Sequence, residues 1–84
     1  MLHARKDYNG RIVDLEKKIP EDEPVFLLRG QDKLAPAAIA CWATLALKEG
    51  ADPVIIEAAM KQAEEMMKWQ IKHGSKIPDM PKEG

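Results

Sequence analysis

The sequence predicts a mainly α, α+β protein. It consists of an antiparallel helical hairpin over about 33–48 and 53–73, preceded by a short strand at about 25–29 and an irregular amino-terminal arm. Three observations carry this. Leu34 to Leu47 (LAPAAIACWATLAL) is apolar apart from Thr44 and the ring of Pro36. Pro53 to His73 repeats apolar residues at helical spacing. Val25-Phe26-Leu27-Leu28 is a short apolar run between Pro24 and Arg29-Gly30. The first stretch is the unusual one. A helix that is apolar all round needs burial on all sides, and 84 residues supply little material to surround it. A chain of this size buries only roughly 60–65% of its unfolded surface.

In chain order, Met1 to Asp7 is polar and expected to fray. Tyr8-Asn9-Gly10 is a turn signal. Residues 11–19 (RIVDLEKKI) fit either a short helix, through Ile12, Val13, Leu15 and Ile19, or a strand through RIVDL, and the two readings stay open. Pro20 and Pro24 enclose three acids in an extended connector. The following strand, 25–29, begins next to a proline, which a strand tolerates at its first position. It needs a mate, either RIVDL or the same strand of another subunit. Asp32 suits the N-cap or first turn of the apolar helix, with Pro36 also in that turn. Lys48 and Gly50 mark its end.

Asp52-Pro53 restarts the chain as a capping acid followed by proline at the first helical position. Ile56, Ala59, Met60, Ala63, Met66 and Met67 form the predicted buried stripe of the second helix. Glu57 with Lys61 and Glu64 with Lys68 are i,i+4 pairs of the favourable order. Gly74 closes the helix, and residues 75–84, with two prolines, read as an extended tail. The whole is expected to be a single small domain.

Composition excludes several functions. Lys plus Arg number 13 and Asp plus Glu 14, for a net charge of −1, without the basic face that nucleic acid requires. The apolar run of about 14 residues falls short of the roughly 20 that span a bilayer, so no membrane partner is expected. The amino terminus carries no signal-peptide pattern. One cysteine, Cys41, makes no internal disulfide and suits a reducing cytoplasm. It is expected to be buried and unreactive. His3, His73 and Cys41 have no metal-ligand spacing, no nucleophile–base constellation is visible, and no cofactor is implied. The expectation is a protein that is not an enzyme.

Two surfaces remain. Arg29, Gln31, Asp32 and Lys33 sit between strand and helix, where free N–H groups and the helix dipole suit an anion. Arg29 would grip it, Gln31 and Lys33 would support it, Asp32 would fix the loop and Arg11 would close over it. The simpler reading is a capping Asp32 with local ion pairs and nothing bound. The other surface is apolar. Ile39, Trp42, Leu45 and Trp69 are the expected interface residues of a homo-oligomer, a dimer being the simplest. The methionine stripe reads as core, or as an adaptable groove.

Ile19 to Trp42 (IPEDEPVFLLRGQDKLAPAAIACW), with Tyr8-Asn9-Gly10-Arg11-Ile12 ahead of it, resembles a group of small uncharacterised bacteriophage and prophage proteins. These share the proline–acid–proline run, the short apolar strand, Arg and Asp, and a Trp-containing helix. The resemblance covers about half the chain and omits the last ten residues. It implies no particular activity. It does imply a phage accessory protein working in the host cytoplasm by stoichiometric binding to a host protein or a small signalling molecule.

Overall fold

The computed structural model describes residues 1–81. The elements are β1 (Leu2–His3), a 3-10 helix (Lys6–Gly10), β2 (Pro24–Val25), α1 (Ala35–Lys48) and α2 (Pro53–His73). The protein is mainly helical, with one small parallel sheet. The chain predicted as one domain falls into two compact units. One is Met1–Leu27 with the segment from Asp79 onward, and the other is Leu28–Pro78.

In the first unit, β1 and β2 run parallel, with Leu2 opposite Pro24 and His3 opposite Val25. The Leu2 N–H donates to the Glu23 carbonyl at 2.9 Å, and the Ala4 N–H to the Val25 carbonyl at 3.2 Å. The mate of the predicted strand is therefore the amino terminus. RIVDL does not fill that role, and the residues expected to fray are paired instead. The pairing also explains why β2 stops at Val25 and does not run through 25–29. After Ala4 the first strand coils into the 3-10 helix, so nothing remains for Phe26 and Leu27 to bond. Phe26 is 75% exposed as a result. Parallel strands need a long crossover, and residues 4–23 supply it. In that crossover 11–19 is neither helix nor strand but a chain of turns. It is held by the Asp14 carboxylate accepting from the Ile19 N–H at 2.7 Å.

This unit centres on two rings. Tyr8 is buried, and so is His3, whose ring meets Tyr8 edge-on at 6.2 Å between centroids. The His3 N–H donates to Asn9 Oδ1 at 3.0 Å, and its Nε2 lies 3.1 Å from the Ile12 carbonyl. A carbonyl can only accept, so the hydrogen sits on Nε2.

In the second unit α1 and α2 pack on each other. α1 begins two residues later than predicted. Its N-cap position is Leu34, which has no side-chain oxygen to offer, and Asp32 instead forms a turn ahead of the helix. Its carboxylate accepts from the Leu34 N–H at 2.8 Å, and its carbonyl from the Ala35 N–H at 3.1 Å. Pro36 lies in the first turn as expected. The carboxyl end is a Schellman motif. Ala51 N–H bonds Ala46 O at 2.9 Å, Gly50 N–H bonds Leu47 O at 3.2 Å, and Gly50 has φ +75°.

α2 spans its predicted range. Asp52 Oδ1 accepts from the Val54 N–H at 2.9 Å, and Gly74, at φ +89°, ends it by donating to the Gln70 carbonyl at 2.7 Å. Lys68 reaches Glu64 at 3.4 Å and Glu65 at 3.6 Å. These two carboxylates, Glu64 first, raise the lysine's pKa above its ordinary value. Glu57 and Lys61 make no ion pair.

The buried stripe is narrower than predicted. Ala63 and Met66 are buried, but Met60 and Met67 are about half exposed. Only Ala35 and Ala43 of α1 are buried, and Cys41 is exposed. The tail returns once. Asp32 and Lys76 form an isolated parallel bridge, with the Lys33 N–H donating to the Lys76 carbonyl and the Lys76 N–H to the Gln31 carbonyl, both at 2.9 Å. From Ile77 to Pro81 there is no regular structure, and the predicted tail beyond residue 81 lies outside the described residues.

Replacing Asp52 with Ala removes the acceptor for an α2 first-turn amide. It should lower stability by about 1 kcal/mol in urea unfolding, with the slope unchanged.

Candidate functional site

The strand-to-helix loop is predicted as an anion site because a helix amino terminus presents free N–H groups. Here most of those groups are used. The Asp32 N–H donates to Arg29 O, Lys33 N–H to Lys76 O and Ala35 N–H to Asp32 O. Leu34 N–H donates to the Asp32 carboxylate, and Pro36 has none to offer. The amide of Gln70 clamps the loop from α2, its nitrogen donating at 2.9 Å to both Gly30 O and Asp32 O. The sequence analysis did not single out Gln70. Its only signal there is a neutral amide among the charged residues of the last turns of α2, and its partners are 38 and 40 positions away.

The predicted ligand residues are divided. Arg29 and Gln31 line a shallow 420 Å³ depression with Gln62, Glu65 and Trp69. Glu65 there contributes an acid that repels an anion. Trp69 closes the depression, its ring 3.9 Å from where a Cβ on Gly30 would stand, and stacks on His73 at 4.4 Å. Lys33 lines a different groove. Asp32 is occupied with the turn. Arg11 belongs to the other unit, where it lies 5.7 Å over the Tyr8 ring and 3.7 Å from Asp7.

That first-unit cluster is self-contained. Arg5 forks onto Asp7 with bonds of 3.0 and 2.8 Å, stands 4.8 Å over the Tyr8 ring and comes within 3.8 Å of Asp79. The hydrogen bond to Asp7 raises the Arg5 pKa. The same bond holds the Asp7 carboxyl below its ordinary value.

The groove that Lys33 lines has a volume of 880 Å³. Pro36, Ala37 and Ala40 of α1 and Met60, Ala63 and Met67 of α2 form its floor. It is open and apolar, with lysines and glutamates at the rim. The predicted interface residues lie in this unit too. Trp42 is 49% exposed, Leu45 55% and Trp69 44%, while Ile39 is half-buried.

Among the described residues no group of three or more His, Cys, Asp or Glu could hold a metal ion. No described helix is long and apolar enough to cross a membrane. No family model, curated protein or solved structure matches the chain.

Two outcomes follow from this geometry. Replacing Gln70 with Leu strips the donor from two loop carbonyls. It should cost about 1–2 kcal/mol and speed hydrogen exchange at the Lys33 and Leu34 amides. For Asp7 the folded pKa lies below the unfolded one. Its contribution is present above about pH 4 and is lost as pH falls through the folded value. An acid titration followed by the Tyr8 ring resonances should therefore show a transition below pH 4, and Asp7→Asn should remove it.

Proposed function

We propose that this chain is a non-enzymatic, self-associating interaction protein. Its two long helices form an antiparallel hairpin that a second copy completes. The carrying observation is the distribution of apolar side chains in the helical unit. No large side chain is fully buried there, and Leu34, Trp42, Leu45, Met60, Met67 and Trp69 are each at least 44% exposed. Single exposed hydrophobics are ordinary on a monomer, but so many on one small helical unit support an association surface. The short link 49–52 between the helices supports the antiparallel arrangement, since links of this length join neighbouring helices end to end.

The alternative, a small anionic ligand held by Arg29, Gln31, Asp32 and Lys33 with Arg11 over it, has less support. The Asp32, Lys33, Leu34 and Ala35 amides are bonded within the protein, and Arg29 and Lys33 line separate hollows. The likeness of Ile19–Trp42 to phage and prophage proteins favours a stoichiometric accessory role in a host cytoplasm. The exposed Cys41 thiol would stay reduced in such a compartment. An inhibitor that lays the Met and Trp surface on a host protein is the other partner-binding form of this reading.

Light scattering across a concentration series should give twice the chain mass of 9.4 kDa, and a monomer throughout overturns the proposal. A thermal-shift panel of nucleotides and cyclic nucleotides should move the melting temperature of neither the native chain nor Arg29→Ala.

A further inference from the structure

We infer that α1 pairs with α1 of a second copy about a two-fold axis, antiparallel, with the axis passing between Ala38 and Cys41. The inference rests on the self-association reading and names its surface and register. Its basis is the outward face of α1. Leu34, Ala38, Cys41 and Leu45 recur at steps of four, three and four. All four are exposed, and they lie away from the side that buries Ala35 and Ala43 against α2. Alternating steps of four and three are the pattern of a seam between paired helices.

Three properties of that seam point to a copy of itself as the occupant. A two-fold contact brings every charge close to its own duplicate, and no residue from Leu34 to Leu47 is charged. The seam reads large, small, small, large. In an antiparallel pair Leu34 meets the partner's Leu45, and Ala38 meets the partner's Cys41, so the order is complementary to its own reversal. The ends agree as well. Asp32 and Lys33 precede the seam, and Lys48 and Glu49 follow it. Antiparallel pairing sets each acid–base pair against the other, and each helix amino end beside a carboxyl end. Ala38 and Cys41 are small enough to allow the backbones to approach closely.

The test is cross-linking with a short bismaleimide, with light scattering on the same samples. Native chains should join efficiently through Cys41, which lies next to the axis. Leu34→Cys in a Cys41→Ala background should not join, because antiparallel pairing separates the two positions by about 16 Å along the axis at 1.5 Å per residue. Ala38→Glu lies on the exposed face and should keep the helical circular dichroism, while weakening dimerisation at least tenfold. Efficient joining through position 34, or no joining through Cys41 in a sample that scatters as a dimer, overturns the register and leaves self-association standing. A sample that scatters as a monomer overturns both.

Discussion

The helical unit depends on a thin contact. α1 meets α2 mainly through alanines, and Ala35, Ala43 and Ala63 are among the few buried side chains. Small side chains let two backbones approach closely, but each removes little apolar surface from water, and burial contributes only about 25 cal/mol per Å². The bulky members of the same helices, Trp42, Leu45, Met60 and Met67, stay about half exposed. The unit therefore leans on its ends. Asp52 caps α2, the Schellman turn at Gly50 closes α1, and Gln70 clamps the loop that leads into it.

The amino-terminal unit is built on another principle. Its centre is polar and aromatic, with His3 against Tyr8 and two arginines over the Tyr8 ring. The parallel pair β1–β2 is two residues long on each side and ties the amino terminus to the connector at Glu23–Val25. Side-chain bonds from Asn9 and Asp14 hold the turns between. Such an assembly depends on hydrogen bonds more than on apolar area, and the buried His3 Nδ1, which makes none, is a cost it carries.

The same accounting separates the two candidate surfaces. An anion site at a helix amino terminus needs donors that the fold leaves over. In the loop 29–33 the Lys76 carbonyl and the Asp32 carboxylate already accept from the Lys33 and Leu34 amides. The apolar face of α1 has no such closure. Its exposed seam carries no charge and is complementary to its own reversal, which is the requirement that two-fold association imposes.

The local elements were legible in the sequence. The all-apolar run, Asp52-Pro53, Gly50 and Gly74 set both helices, the start of α2 and both carboxyl ends, because capping and helical periodicity act within a few residues. The sequence also showed that α1 was too apolar to be covered by so short a chain. Distance in the chain hid the rest. Only tertiary structure paired Leu2–His3 with Pro24–Val25, replacing a frayed end with a strand and cutting the predicted strand to two residues. It also brought Gln70 onto the loop carbonyls at 30 and 32 and the Lys76 carbonyl onto the Lys33 amide, which local reasoning had left for a ligand. It exposed Cys41, Met60 and Met67, since which side of an apolar helix is covered depends on its neighbours, and periodicity within the helix carries no record of them.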